Sequence, residues 1–269
     1  MPPIRLVGID VDGTLVGASG KVLPIVWEAA ARAREKGIHL ALCSGRPAFG
    51  LALDYARRLD ASGWHVFQNG ASVLHLATSR SLSAAISPEP IRTLIAEARR
   101  TGRVLELYSD REYVAESEHS WAYEHAELLG IPFEPTLFES LQGPIVRAQW
   151  LVRPAEASAV IESAPPHLEV AQSSSPIMPD TRFIGLTREG IDKGTAMQTI
   201  AKEYDVPLAQ VMYVGDAGND LSALRVVGVP VAMANADAVV IAAAKHVAGH
   251  VEEGGLVKAL ELAMASIRE

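Results

Sequence analysis

The stretch Ile4-Arg5-Leu6-Val7-Gly8-Ile9-Asp10-Val11-Asp12-Gly13-Thr14 decides how the rest of the chain is read. Its mainly apolar opening predicts a short buried strand, and the strand ends on two carboxylates at i and i+2. Side chains two apart on extended backbone project to the same side, so Asp10 and Asp12 point together if strand geometry continues. Gly13 then lets the chain turn sharply and frees backbone N–H groups to meet an anion. An Asp-Gly turn commonly caps a strand, but a plain turn does not require two acids there.

Far along the chain, Val211-Met212-Tyr213-Val214 is a second apolar strand, running directly into Gly215-Asp216-Ala217-Gly218-Asn219-Asp220. Acids this dense at a strand end are costly unless a cation gathers them. An oxygen-rich set suits a hard metal, with Mg²⁺ the first choice where a phosphate supplies further ligands. Taken alone, the segment could equally be a loop or a helix start with Asn219 and Asp220 near the positive end of the dipole. In open α/β sheets, ligands bind beyond the carboxyl ends of the strands, where both motifs fall. Between them, Ser44-Gly45-Arg46 follows the apolar run Ile38–Cys43 and offers a hydroxyl and backbone N–H groups to a phosphoryl oxygen. Lys193, in Gly190-Ile191-Asp192-Lys193-Gly194, opens a helix and could supply a point charge to the same group.

The elements around these motifs alternate. Helical patterns over Leu23–Lys36 and Ala48–Leu59 separate strands at Ile4–Ile9, Ile38–Cys43 and Trp64–Phe67, which predicts parallel pairing with both sheet faces covered. The pattern returns at the end, with a helix over Lys193–Tyr204, the Val211–Val214 strand, a helix over Leu221–Val226, a strand at Pro230–Met233 and a closing helix over Leu256–Ile267. The middle differs. A helix over Pro88–Thr101 is followed by strands at Arg103–Ser109, Glu112–Glu116, Ile145–Val152 and Leu168–Gln172, with a helix over Pro154–Ala164. This predicts an α+β module with a largely antiparallel sheet, inserted over residues 81–186 into a core of residues 1–80 and 187–269.

Composition narrows the function. The chain has 269 residues, 49% hydrophobic and 21% charged, with a net charge of −8 and a single cysteine, Cys43. One cysteine excludes an intrachain disulfide and a cysteine-based zinc site. The acidic balance and the lack of a basic cluster argue against nucleic acid as a partner. No apolar run is long enough for a membrane-spanning helix, and no secretory signal opens the chain, so a cytoplasmic location is expected. His246 and His250 have the i, i+4 spacing of a metal pair but lack an evident third ligand beyond Glu252 or Glu253. His119 and His125 are too far apart to share one helix face. Trp121, Tyr123, Phe133 and Trp150 are expected mainly to pack the inserted module.

In this order, Asp10-Val11-Asp12-Gly13-Thr14, Ser44, Lys193 and Gly215–Asp220 resemble the four motifs of the haloacid dehalogenase superfamily. The large insertion between the second and third resembles its members with a C2-type cap. Leu42–Arg46, Asn69-Gly70-Ala71, Asn235-Ala236 and Glu253–Leu256 are similar to the Cof-type group, although Ala234 stands where that group often has glycine. The resemblance implies a Rossmann-like α/β core with an inserted α+β cap, and a Mg²⁺-dependent phosphatase acting on a small phosphorylated metabolite such as a sugar phosphate. It implies Asp10 as nucleophile and Asp12 as acid and base, with Asp10 and Asp216 beside Asp12 raising its proton affinity. It further implies Ser44, Gly45, Lys193 and Asn219 on the phosphoryl oxygens. The metal would be held by Asp10, the Asp12 carbonyl, Asp216 and Asp220. Thr14 would order the loop. Two alternatives stay open, a phosphosugar mutase of the same cap class and a non-catalytic phosphate-ligand sensor. Substrate identity and oligomeric state are not fixed by these residues.

Overall fold

The computed structural model describes residues 2–175 and 177–267. In chain order the elements are β1 (Leu6–Asp10), α1 (Pro24–Glu35), β2 (His39–Cys43), α2 (Gly50–Asp60), β3 (Trp64–Phe67), β4 (Ser72–His75), α3 (Pro88–Thr101), β5 (Val104–Tyr108), β6 (Tyr113–Val114), α4 (Ser120–Leu129), β7 (Arg147–Val152), α5 (Ala157–Glu162), β8 (Leu168–Ser173), β9 (Arg182–Arg188), α6 (Lys193–Glu203), β10 (Val211–Gly215), α7 (Leu221–Val226), β11 (Val229–Ala232), α8 (Ala238–Ala243), β12 (His246–Val247) and α9 (Leu256–Ala265). The helices predicted over Pro88–Thr101 and Leu221–Val226 form with those bounds, the first stopped by Gly102 in the left-handed conformation. Among the described residues, α4, α8, β4, β9 and β12 are elements that the sequence pattern did not single out. No helix among them is long and apolar enough to cross a membrane.

The chain forms two units, one of residues through Arg46, Ala52–Leu82 and Asp192 onward, the other of residues 47–51 and 83–191. Residues 187–191 fall in the second unit because β9 runs on to Arg188, past the expected return to the core.

The first unit is built on a sheet in the order β12-β11-β10-β1-β2-β3-β4. All neighbours are parallel except β3 and β4. After β1 the chain steps outward through β2 and β3. After the insertion it returns beside β1 at β10 and steps the other way. The reversal lies between β1 and β10, the place where such sheets open a crevice at their carboxyl ends. Leu6, Ala41, Cys43, Val211 and Tyr213 pack on one face against Ala196, Met197 and Ile200 of α6 and Ala223 and Leu224 of α7. The opposite face carries α1 and α9, which pack on each other, and α2, whose Arg58 lies 4.3 Å from the Trp27 ring of α1. The expected α/β core with helices on both faces is therefore observed.

The second unit is a five-stranded antiparallel sheet, β6-β5-β7-β9-β8. One face buries Leu105, Leu107, Trp150 and Ile184 against Ile91 and Leu94 of α3 and Val160 of α5. The other carries Val104, Leu151 and Phe183 against Ala122 of α4, with Trp121 and Phe133 partly buried beside them. On that second face the fully buried Glu106 carboxylate accepts from Tyr108 Oη (2.7 Å), Tyr113 Oη (2.9 Å) and Gln149 Nε2 (2.8 Å), and lies 2.7 Å from His125 Nδ1. Burial would raise the Glu106 carboxyl, but His125 and the Tyr108 and Tyr113 hydroxyls hold it below the ordinary value. His119 instead caps α4 by accepting from the Trp121 backbone N–H.

A histidine stitches the core sheet where its ladder is thinnest. β2 and β3 share one paired position, Cys43 with Val66. Next to it, the Leu42 backbone N–H donates to the His65 imidazole at Nδ1 (3.0 Å). The proton therefore sits on Nε2, which donates to the Asp60 carbonyl (2.8 Å). Burial drives the His65 pKa down from 6.5 to about 4. The unfolded chain protonates His65 on acidification before the folded chain does, so stability is full above about pH 6.5 and falls toward pH 4. We predict that this group alone removes about 2 kcal/mol between pH 7 and pH 5. Urea unfolding at the two pH values checks it, and His65→Gln, which cannot titrate, should show a correspondingly smaller loss.

Candidate active site

Asp10 ends β1 on the same face as Leu6 and Gly8, the face that looks toward α6. The first residue of α6 is Lys193, whose fully buried ammonium donates to Asp10 Oδ1 (2.6 Å) and to Asp220 Oδ1 (2.7 Å). Asp220 is itself buried, accepting from Tyr213 Oη (2.6 Å) and from the backbone N–H groups of Asp216 (3.0 Å) and Ala217 (3.1 Å). Tyr213 lies on β10, the strand that leads into Asp220, and its ring has room because Gly8 of the neighbouring β1 carries no side chain. A Cβ at Gly8 would lie 2.7 Å from the Tyr213 ring and 2.8 Å from Met197 Sδ. Oxygen atoms of Asp10, Asp216 and Asp220 lie within 4.8 Å of one another.

The electrostatics follow from this crowding. Burial pushes the Asp10 carboxyl well above its ordinary pKa; Lys193 opposes the shift and Asp220 adds to it. Burial, then Asp220, pushes Asp216 up to about 6. Burial would lower the Lys193 ammonium, but Asp10 and Asp220 reverse this and hold it above the usual lysine value. Three carboxylates thus share one ammonium. The donor set is all oxygen, and the uncompensated negative charge fits a hard divalent cation, which would return Asp10 and Asp216 to their ionised forms.

Asp12 takes a different position from the one the i, i+2 spacing implied. Strand geometry stops at Asp10, and the Val11 carbonyl accepts from the backbone N–H groups of Leu15 (2.9 Å) and Val16 (2.8 Å). Gly13 turns the chain with φ +90°, and a Cβ there would lie 2.0 Å from Asp216 Oδ2. The Asp12 carboxylate, 60% exposed, forms a bidentate pair with Arg46, Nε to Oδ2 at 3.0 Å and an Nη to Oδ1 at 2.5 Å. Its side-chain partner is therefore Arg46 rather than Asp10 or Asp216, and it stands outside the carboxylate cluster. Arg46 is the cation beside Asp12.

The remaining positions gather at the same strand ends. Ser44 is buried after β2, its Oγ accepting from the Arg46 backbone N–H (3.0 Å). Gly45 packs against the Asn69 amide, and Asn219 Nδ2 donates to Asn69 Oδ1 (3.1 Å). Thr14 Oγ1 donates to Asp216 Oδ1 (3.2 Å). Asn235 Nδ2 donates to the Gly13 carbonyl (2.8 Å), while Asn235 Oδ1 accepts from the Val251 N–H (2.9 Å), tying the late loops to the first motif. Tyr213 had no signal as a site residue, since it reads as strand core, and Asn235 stood out only within the Asn235-Ala236 segment of the resemblance, with no role attached to it. His246 is an exposed strand residue, and His250 accepts from the Glu252 N–H.

The sequence profile of haloacid dehalogenase-like hydrolases matches residues 7–260. The chain belongs to that family. Among relatives of this haloacid dehalogenase-like hydrolase, YxeH of Bacillus subtilis, provisionally named a phosphatase, is 26% identical over 269 residues, 97% of this chain and 99% of that one. A haloacid dehalogenase-like hydrolase from Bacteroides thetaiotaomicron superposes with a TM-score of 0.83 at 25% identity, covering 96% of this chain and 99% of the other. The fold is also that of a subclass IIB sugar phosphatase, with a TM-score of 0.79, 24% identity and coverage of 98% and 100%. The architecture of a parallel core with an inserted antiparallel unit is the one these structures share.

Lys193 is the group on which the cluster's charge balance turns. Replacing it with methionine leaves Asp10 and Asp220 buried without a counter-charge. We predict that Lys193→Met lowers stability by about 3–5 kcal/mol in EDTA at pH 8, as measured by urea unfolding. A loss below about 1 kcal/mol would show that the pair is solvated rather than buried.

Proposed function

We propose that this haloacid dehalogenase-type phosphatase, a phosphoric monoester hydrolase, acts on a small phosphorylated metabolite such as a sugar phosphate, with Asp10 as nucleophile and Mg²⁺ as cofactor. The observation that carries this reading is the Asp10 carboxylate held by Lys193 beside Asp216 and Asp220 at the sheet's reversal point. Asp10, Asp216, Asp220 and the Asp12 carbonyl are the groups to hold Mg²⁺, which when bound supplies positive charge to the phosphoryl oxygens.

An Asp10 oxygen attacks phosphorus in line as the bond to the leaving oxygen breaks, and the product is an aspartyl phosphate. Asp12 gives its proton to the leaving oxygen. In the second step Asp12 takes a proton from water, the water oxygen bonds to phosphorus, and the bond to Asp10 breaks to release phosphate. This exchange requires Asp12 to leave its pair with Arg46, and the exposure of the Asp12 side chain gives it room to do so. Lys193 orients Asp10 and offsets charge, while Ser44, Gly45 and Asn219 grip the phosphoryl oxygens. The inserted unit, residues 81–186 by the sequence reading, selects the leaving group.

A mutase needs a second phosphate site, for which the arginines of the inserted unit are the natural source. Two of them are already neutralised: Arg99 pairs with Glu116 and Glu139, and Arg103 with Glu97 and Glu156. Hydrolysis is the reading favoured.

We expect phosphate release from at least one member of a panel of sugar phosphates, nucleotides, pyridoxal phosphate and flavin mononucleotide, with Mg²⁺ present and not in excess EDTA. Asp10→Asn should fold normally and lose turnover by at least about 10³-fold. Near-native turnover in that variant would refute the nucleophile assignment.

A further inference from the structure

Between β3 and β4 the chain makes a turn that few sequences adopt. Gln68, Asn69 and Gly70 have φ of 52°, 55° and 107°, three successive residues in the left-handed region. Asparagine tolerates that region better than most residues, but a run of this kind persists only where its surroundings over-determine it. Here the surroundings are the segments assigned above to the phosphoryl group. The Gln68 N–H donates to the Arg46 carbonyl (3.0 Å), and the Asn69 N–H to the Ser44 carbonyl (2.9 Å). The Asn69 amide lies 3.1–3.4 Å from where a Gly45 Cβ would stand. Gly70 abuts the residue before Lys193 so closely that a Cβ there would fall 2.2 Å from the Asp192 carbonyl oxygen.

The side chain reaches further. With the order β10-β1-β2-β3, the loops bearing Asn69 and Asn219 begin three strand spacings apart, about 14 Å. Their amides nonetheless meet at 3.1 Å, bridging the carboxyl ends of the intervening β1 and β2. Accepting through Oδ1 fixes which proton of Asn219 Nδ2 is engaged and directs the other away from Asn69.

We propose that Asn69 is a positioning residue of the phosphoryl site, holding the Asn219 amide and the Ser44-Gly45 turn in place from the end of β3. The proposal rests on the preceding assignment of Ser44, Gly45 and Asn219 to the phosphoryl oxygens. Asn69 is not itself a catalytic residue; it acts through Asn219.

The test is a double-variant cycle on the full chain with Mg²⁺ and the best phosphomonoester of the panel. It reads kcat/KM, competitive inhibition by inorganic phosphate, and thermal unfolding. Asn69→Gly removes the amide and keeps a residue that adopts positive φ freely. We expect kcat/KM to fall about tenfold, the loss of one good hydrogen bond, with a matching rise in the phosphate inhibition constant and an unchanged melting temperature. Combined with Asn219→Ala, it should cost nothing beyond Asn219→Ala alone. Wild-type values in Asn69→Gly while Asn219→Ala is impaired would overturn the proposal, as would losses that multiply in the double variant. Wild-type values in Asn219→Ala are a different failure, removing Asn219 from the phosphoryl grip and its positioning by Asn69 with it.

Discussion

A lysine ammonium buried between two carboxylates is the constraint around which the core is arranged. Lys193 stands at the first position of α6, where the helix dipole disfavours a cation. Asp10 and Asp220 outweigh that penalty, because in a water-poor site a close opposite charge acts far more strongly than at the surface. Holding the trio together requires β1 and β10 to be neighbours, α6 to start against their carboxyl ends, and Gly8 to leave room for Tyr213. The reversal of strand order makes β1 and β10 neighbours, and the glycine at position 8 meets the last requirement. Fold and site are here two descriptions of one charge arrangement.

Much of this was legible from residues because its signals are local. The apolar runs ending at Asp10, Cys43 and Val214 marked the three strands whose ends carry the site, and the acids after two of them marked the cluster. What escaped depends on distance. Asp12 looked like a twin of Asp10 by spacing, but the turn organised by the Val11 carbonyl hands its carboxylate to Arg46, a residue from another loop. Tyr213 read as strand core, which it is, yet its hydroxyl serves Asp220. β9 went unnoticed because Phe183 through Leu186 are buried without alternation and Gly185 interrupts them. α4 lacked a conventional cap, His119 filling that place, and β12 has two residues, too few for any period to show.

The inserted unit solves a different problem on the same chain. One face of its sheet is an ordinary apolar interface, whereas the other buries a carboxylate, Glu106. That burial is tolerable because partners from β5, β6, α4 and β7 all converge on it, so every oxygen is engaged. A network of this kind ties four elements to one another by direction as well as by contact, something interchangeable aliphatic side chains do less well.

The margins of the core sheet have a consequence for its behaviour among other chains. A sheet can be extended only along its outermost strands, and exposed strand backbone is a template for aggregation. At one margin stands β12, whose two residues offer too short a row of donors and acceptors to recruit a foreign strand. At the other, β4 runs against its parallel neighbours, and its outer side is already engaged by the following segment through the Leu74–Ser81 bridge and the Leu82 N–H to Val73 carbonyl bond. A sheet of seven strands rich in valine and leucine thus leaves little free edge for a foreign strand, one border being cut short and the chain folded back over the other.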